Sequence, residues 1–137
     1  MKKLIFLFAV MIGFTAFTAM KVEEEPEFKF VEEIHDFGKI TQGKPVTVEM
    51  RFTNVGDQPL IISSVEPTCG CTVAKYTQTP VKKGQVGSVI LTYNAASPGN
   101  FNKPTTIKSN AKGGLKVVYI KGEVVAAPTS TVVKTSK

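Results

Sequence analysis

The sequence predicts an all-β domain, and three observations support this. Between residues 28 and 125 the apolar residues recur with a period near two, which is typical of half-buried strands. Turn residues separate these stretches at even spacing, as in all-β proteins. No stretch of about ten residues has the apolar period of an amphipathic helix. We therefore expect an immunoglobulin-like β-sandwich of about seven antiparallel strands, with an open barrel as the alternative.

The expected strands follow one another along the chain. The first spans residues 28–34. In the second, Val46, Val48, Met50 and Phe52 alternate with polar residues, which predicts one buried and one wet face. Five more are expected at residues 60–65, 71–73, 89–93, 101–109 and 115–125, after turns such as Lys82-Lys83-Gly84 and Lys112-Gly113-Gly114. Pro104 cannot donate to a strand ladder, so its part of the sixth strand is expected at an edge or a bulge.

The N-terminus has the layout of a secretory signal peptide. Lys2 and Lys3 precede the apolar run 4–14, and small and polar residues follow. This run is shorter than the about 20 residues that a membrane span needs. We expect an exported chain, periplasmic or extracellular, without a membrane span after cleavage. The predicted organisation is a signal peptide at 1–19, a charged tether at 20–27, one domain at 28–125 and a disordered tail at 126–137.

Charge and composition argue against several classes of function. Loss of Lys2 and Lys3 with the signal lowers the formal charge from +6 to about +4, an ordinary value for solubility. The basic residues are scattered, and Arg51 is the only arginine, although phosphate recognition favours arginine. Nucleic acid is therefore not an expected partner. No cofactor is expected, and the chain is long enough to form a core without disulfides or metal.

The two cysteines, Cys69 and Cys71, are separated by one glycine. In an extended strand their Cα atoms would lie about 6.6–6.8 Å apart, at the upper limit for a disulfide. Gly70 is the residue expected to fold the backbone and bring the sulfurs together. The closed loop has three residues, for which chain entropy gives only about 1.6 kcal/mol of stabilisation. A disulfide between them would therefore add little to the stability of the fold, and the cysteines are free to serve another function.

Three interpretations of Cys69 and Cys71 remain open. They form a local disulfide or half-buried thiols where the third strand passes to the fourth. Alternatively, two thiolates are a ligand pair for two-coordinate Cu(I) or part of a site shared across a dimer, whereas a closed zinc site needs four ligands, more than one chain offers here. A third interpretation is a redox couple, because strained exposed disulfides are the more oxidising ones. Against it, no helix is expected here to lower a thiol pKa.

Other chemistry-bearing residues are expected to be structural. Asp36-Phe37-Gly38 matches the magnesium motif of kinases, but the glycine-rich and catalytic loops are missing. We expect Phe37 in the core and Gly38 in a bulge or a turn with positive φ. His35, the only histidine, is expected at a strand end without a carboxylate partner. Asn54 with Gly56 is expected to form a turn. The sequence predicts no catalytic residues.

Several segments resemble one family. They are His35-Asp36-Phe37-Gly38-Lys39-Ile40 with Gly43, Phe52-Thr53-Asn54-Val55-Gly56, Cys69-Gly70-Cys71-Thr72, Ser97-Pro98-Gly99 and Ile120-Lys121-Gly122. Together they resemble the DUF1573 family of exported bacterial domains, and the Cys-Gly-Cys-Thr step is the most specific part. The Asp-Phe-Gly and Asn-x-Gly pieces are also similar to the wider group of major sperm protein and ASH/Hydin domains.

The resemblance implies a fold and a class of function. It implies an immunoglobulin-like domain, and the wider group implies binding and assembly without catalytic residues. We therefore expect a non-enzymatic binding or assembly module of the bacterial cell envelope, with a protein partner of unknown identity. The alternative is Cu(I) handling or redox exchange at Cys69 and Cys71.

Overall fold

Residues 20–129 are described by a computed structural model, in which eight strands form. These are β1 (Phe28–Phe30), β2 (Ile34–Thr41), β3 (Val46–Asn54), β4 (Ile62–Pro67), β5 (Thr72–Tyr76), β6 (Val86–Tyr93), β7 (Gly99–Ser109) and β8 (Leu115–Val125). The predicted signal peptide at 1–19 and the part of the predicted tail at 130–137 lie outside the described residues. Within residues 20–129, no helix is long and apolar enough to cross a membrane.

The strands form two four-stranded sheets that enclose one core. The first sheet has the order β1-β3-β6-β5 and the second has the order β2-β8-β7-β4. All named pairs are antiparallel except β2 with β8, which run parallel. Tyr93 of the first sheet stacks on Phe101 of the second, with ring centroids 4.2 Å apart. The predicted all-β sandwich is confirmed.

Two details of the strand prediction were wrong, and both concern β2. The expected strand at 28–34 divides into β1 and the start of β2, which belong to different sheets, so the described residues form eight strands where about seven were expected. The pairing of β2 with β8 is parallel rather than antiparallel. Gly38, at φ +65°, forms a bulge that shifts the register between Asp36 and Lys39. The bulge interrupts the alternation of inward and outward residues, which is the pattern that would have predicted β2 from the sequence.

Strand alternation directs the largest apolar side chains into the space between the sheets. The fully buried members include Met50, Phe52, Leu60, Val89, Leu91, Ile107, Val118, Ile120 and Val124. Phe52 lies directly opposite Gly87 in the pairing of β3 with β6. A Cβ atom built on Gly87 would lie 2.4 Å from the Phe52 ring. Glycine at this position therefore provides the space that the aromatic ring occupies.

Asn54 is a buried polar residue at the end of β3, and its side chain organises the turn after it. Its Nδ2 donates to the carbonyl oxygens of Gln58 and Val81, at 2.7 and 2.9 Å. Its Oδ1 accepts from the backbone N–H groups of Gly56 and Glu27, at 3.0 and 3.2 Å. The predicted Asn-x-Gly turn is confirmed. The additional bonds to Glu27 and Val81 join three separate segments at one side chain.

Part of the segment expected to be a tether is hydrogen-bonded to the domain. Asp57 N and Val55 N donate to Glu24 O and Glu27 O, each at 3.0 Å, and Lys112 N donates to Pro26 O at 2.8 Å. Pro26 is buried. A Cβ atom on Gly56 would lie 2.0 Å from Glu25 O, so the segment passes directly over this glycine. Residues 24–27 thus form a strap on the domain.

Asp57 makes the attachment of this strap dependent on pH. Its carboxylate accepts from Glu24 N at 3.1 Å and pairs with Lys83. The hydrogen bond from Lys83, followed by the one from Glu24, lowers the pKa of Asp57 below its usual 3.8. The pKa of Asp57 is lower in the folded state than in the unfolded state. The stabilisation that Asp57 contributes is therefore complete above pH 3.8 and is lost as the pH falls through the folded-state pKa.

We therefore expect acidification below pH 3.8 to release the strap before the sandwich unfolds. The measurement is hydrogen exchange at the amides of Val55 and Asp57, corrected for intrinsic rates. Protection should fall with pH in the native protein. In Asp57→Asn, protection should be lower at neutral pH and should not change over this acidic range. Equal acid sensitivity in both proteins would contradict the assignment.

Candidate functional site

The cysteines lie in a four-residue segment, residues 68–71, that carries the chain from one sheet to the other. We call it the cysteine loop. Strand β4 ends at Pro67 on the edge of the second sheet, and β5 begins at Thr72 on the edge of the first. The loop therefore closes one side of the sandwich.

Cys69 and Cys71 are joined by a disulfide. Their Cα atoms are 5.3 Å apart, less than an extended strand gives and inside the usual disulfide range. The distance is shortened by a turn in which Thr72 N donates to Cys69 O at 3.3 Å. Metal binding through these sulfurs requires thiolates, so the predicted metal ligands Cys69 and Cys71 belong to the reduced protein, and that interpretation stays a prediction.

Gly70 lies at the tip of the cysteine loop and is exposed. Its φ is outside the left-handed region, and a Cβ atom built on it would meet nothing within 4 Å. The turn therefore does not require glycine at this position, and the expectation that Gly70 alone allows it was wrong. The hydrogen bond between Thr72 and Cys69 defines the turn instead. The open space leaves the loop accessible from solvent.

Hydrogen bonds that do not involve sulfur hold the cysteine loop at both ends. Thr68 donates to Pro104 O twice, from its N–H at 3.3 Å and from its hydroxyl at 2.6 Å. Asn94 N donates to Cys71 O at 3.0 Å. Cys71 packs against the hydrophobic core. Both cysteine backbones are therefore positioned by contacts that remain when the disulfide opens.

Pro104 marks the point where β7 loses its neighbour in the second sheet. β4 pairs with β7 as far as Thr105, whereas residues 99–103 of β7 pair, among the described strands, with β8 alone. Pro104 O points toward the β4 side of the strand, since it accepts a hydrogen bond from Thr68. In a strand, the backbone N–H and C=O groups of residues two apart point to the same side. The backbone groups of Asn102 and Asn100 thus point away from β8. We call this side of residues 99–103 the open edge.

The prediction for Pro104 is therefore confirmed in a specific form. Along residues 105–109, β7 lies inside the sheet, and from Pro104 toward Gly99 it is an edge strand. Pro104 has no backbone N–H, and it lies where the hydrogen-bond ladder between β7 and β4 ends. Cys69 is the residue after Thr68, so the disulfide begins beside the open edge.

His35 lies on the far side of the same sheet. It is in β2, and the order β2-β8-β7-β4 places three strand spacings, about 14 Å, between it and the end of β4. Its Nδ1 is 2.7 Å from Glu32 Oε1, and its ring packs edge-on against Phe37. Glu32 is thus the carboxylate partner that the sequence did not indicate. His35 does not join the cysteines in one site.

The other predicted structural roles near His35 agree with the fold. Phe37 packs against the core, and Gly38 forms the bulge with positive φ. A shallow depression of about 380 Å³ adjoins this bulge, lined by polar and charged residues that include Asp36, Lys39 and Lys121. In the described part of the chain, no three His, Cys, Asp or Glu residues are grouped as a metal site requires.

A family model described as "Protein of unknown function (DUF1573)" matches residues 28–124. The chain belongs to the DUF1573 family. The match begins at the first residue of β1 and ends one residue before the end of β8, so it covers both sheets. No curated protein matches this DUF1573 chain.

Solved structures of low identity share the sandwich of the DUF1573 domain. A protein of unknown function from Porphyromonas gingivalis W83 matches with a TM-score of 0.66 at 19% identity, over 80% of this chain and 51% of that one. The VesB protease of Vibrio cholerae matches with a TM-score of 0.61 at 14% identity, over 71% and 32%. This chain thus spans about half and one third of these two proteins.

The ASH/PapD-like domain 7 of human CEP192 matches over most of its length. The TM-score is 0.59 at 10% identity, covering 75% of this chain and 88% of that domain. The similarity to ASH-type domains that the sequence predicted is confirmed as a similarity of fold. At these identities the three structures show the fold of the DUF1573 domain alone.

Proposed function

We propose that this DUF1573 domain is an exported, non-enzymatic binding module of the bacterial cell envelope, which docks an extended segment of a protein partner on its open edge. The observation that supports this most directly is the departure of β4 at Pro67, after which no strand within residues 20–129 pairs with the outer side of residues 99–103 of β7. An extended peptide adds to such an edge through main-chain hydrogen bonds.

The residues of the open edge suit strand addition. Asn100 and Asn102 are exposed, whereas Phe101 is buried and fixes this part of β7 against Tyr93. The edge is therefore rigid before any partner arrives, which reduces the entropy lost on binding. Edges of this kind are usually protected by charge, proline or a bulge. Lys103 and Pro104 both lie at one end of the open edge, so charge and proline leave residues 99–102 available for docking.

A second exposed surface lies on the outer face of β8. Leu115, Val117 and Tyr119 point outward, and Ile34 lies beside Tyr119 in the parallel pairing. Leu115 is 60% exposed and Ile34 is 55% exposed. Exposed apolar stripes of this kind are common on binding surfaces. This stripe supports a binding module as the general class, while the open edge supports a particular mode of docking.

Export is supported by two features of different kinds. The N-terminal sequence has the layout of a signal peptide. The disulfide between Cys69 and Cys71 is the form that an oxidising compartment favours. Both point to the periplasm or the cell exterior as the place where the module acts.

The test is photocrosslinking in the native bacterium from a reactive residue placed at Asn100. We expect one recurring adduct, which mass spectrometry identifies. Asn102→Pro should abolish it, because proline removes an outward N–H that a docked strand requires. Asn102→Ala should leave it unchanged, since only the side chain is lost. Pro104 occupies the same phase of β7, so we expect Asn102→Pro to fold, and circular dichroism checks this.

Two controls separate edge docking from other contacts. A reactive residue at Glu49, exposed on the first sheet, should give no such adduct. A reactive residue at Val117 reports on the apolar stripe of β8. If Asn102→Pro folds and still gives the adduct, or if the adduct forms only from Val117, docking at the open edge is wrong.

A further inference from the structure

We propose that the Cys69–Cys71 disulfide is a thiol-exchange site, that its substrates are polypeptides bearing two free cysteines, and that Cys69 is the sulfur that the first of these thiols attacks. Delivery of the thiol along the open edge rests on the proposed function. The exchange chemistry itself does not, because it depends only on the cysteine loop.

The first argument is that the disulfide is not needed to hold the loop. It closes a ring of three residues, and the stabilisation from such a link falls as the closed loop shortens. Thr68, Thr72 and Asn94 already fix the loop through backbone hydrogen bonds. Reduction therefore leaves two thiols in position, and the pair can open and close without unfolding of the sandwich.

The second argument is that the two sulfurs have different surroundings. Both cysteines are half-buried, but Cys71 packs against the core and Cys69 is not among the residues packed there. Gly70 is exposed with open space around it. A thiolate attacks a disulfide sulfur to form a mixed disulfide, and access to that sulfur controls the rate. Because the core covers Cys71, we infer that the attacking thiol reaches the sulfur of Cys69.

The third argument is the position of Cys69 beside the open edge. Thr68 is bonded to Pro104, at the end of the edge, and Cys69 is the next residue. A segment docked on residues 99–103 would lie beside β7 and in line with β4. One end of that segment would therefore approach the end of β4. A cysteine in that segment would therefore meet Cys69 at a high effective concentration.

The exchange balances as two displacements. The partner thiolate attacks Cys69 Sγ, the bond between Cys69 and Cys71 breaks, and Cys71 leaves as a thiolate that takes a proton from water. A second thiol of the partner then loses its proton and attacks the partner sulfur of the mixed disulfide. Cys69 leaves as a thiolate and is protonated. The partner dithiol is oxidised to a disulfide by two electrons, and the domain is reduced to a dithiol.

The test begins with the full-length chain in anaerobic glutathione buffers of increasing reducing strength. Samples are quenched with acid, and the intact mass is measured. We expect reversible conversion to the dithiol with an unchanged circular-dichroism spectrum. The site assignment is overturned if the native protein stays oxidised under excess reductant and reacts only when denatured, or if reduction unfolds it.

Single variants test which sulfur reacts. Cys71→Ser keeps Cys69, and Cys69→Ser keeps Cys71, so the two variants are matched in composition and differ only in which sulfur remains. With oxidised glutathione, we expect Cys71→Ser to form the mixed disulfide at least severalfold faster than Cys69→Ser. Equal rates, or the opposite order, would overturn the assignment of Cys69. The double serine variant should fold and gain no glutathione.

A peptide arm separates this inference from the proposed function. An extended peptide with one cysteine is compared with glutathione at equal thiol concentration. We expect the peptide to react faster, and Asn102→Pro should remove that advantage without changing the glutathione rate. If glutathione exchanges normally and the peptide has no advantage, delivery along the edge is wrong while exchange stands. If neither thiol reacts, exchange is wrong, and the photocrosslinking result is unaffected.

Discussion

Replacement of Asn54 by alanine should destabilise the domain by about 3–4 kcal/mol, because several buried backbone groups lose their partner at once. The side chain makes four hydrogen bonds and is fully buried. Its loss leaves Gly56 N and Glu27 N without an acceptor and Val81 O without this donor. Urea unfolding, followed by circular dichroism, measures the change in free energy.

Asn94→Ala is the matched control for Asn54→Ala. Both asparagines accept from the backbone N–H two residues later, and Asn94 Oδ1 lies 3.1 Å from Ala96 N. Asn94 is exposed, so water replaces the lost bond, and we expect a cost below about 1 kcal/mol. A loss of under about 1 kcal/mol in Asn54→Ala would show that the three joined segments do not depend on this side chain.

Gly87→Ala should destabilise the domain by about 2–3 kcal/mol through overpacking. The new Cβ would lie 2.4 Å from Cζ and 2.9 Å from Cε2 of the Phe52 ring. Phe52 is fully buried, and its ring contacts Phe28 and Phe30, with centroids 4.8 and 5.3 Å away. The ring cannot withdraw without disturbing β1. Thermal and urea unfolding both measure this loss.

Gly70→Ala provides the comparison for the same substitution in a different setting. Gly70 is exposed, its φ suits an L-residue, and the added Cβ meets nothing within 4 Å. We expect a change within about ±0.5 kcal/mol. A large loss in Gly70→Ala, or none in Gly87→Ala, would contradict the packing described for these two glycines.

Alternation of apolar residues was enough to predict the sandwich but not the division of its first strands. The regular pattern from Val46 to Phe52 predicted β3 correctly, because one face of that strand is buried along its whole length. Strand β2 was missed beyond Ile34, since the Gly38 bulge changes which face each residue occupies. Parallel pairing with β8 is a contact between distant parts of the chain, and local patterns do not encode it.

The candidate site was predictable in its residues but not in its surroundings. The spacing of Cys69 and Cys71 drew attention to the loop, and Pro104 indicated an edge. The hydrogen bond between Thr68 and Pro104 joins the two features, and it links residues 36 positions apart. Nothing in the local sequence of either segment specifies that contact. The role of Gly70 was overestimated because a neighbouring hydrogen bond, invisible in the sequence, forms the turn.

The parallel pairing of β2 with β8 has a consequence for the order of assembly. β8 is the last of the eight described strands, and it lies between β2 and β7 in the second sheet. Until β8 has been synthesised, β2 lacks its partner, so the second sheet can form only as the antiparallel pair β4 and β7. Pairing across such long separations is slow to nucleate. The second sheet is therefore completed only once β8 is available, and until then β2 and β7 expose edges that are open to wrong pairing.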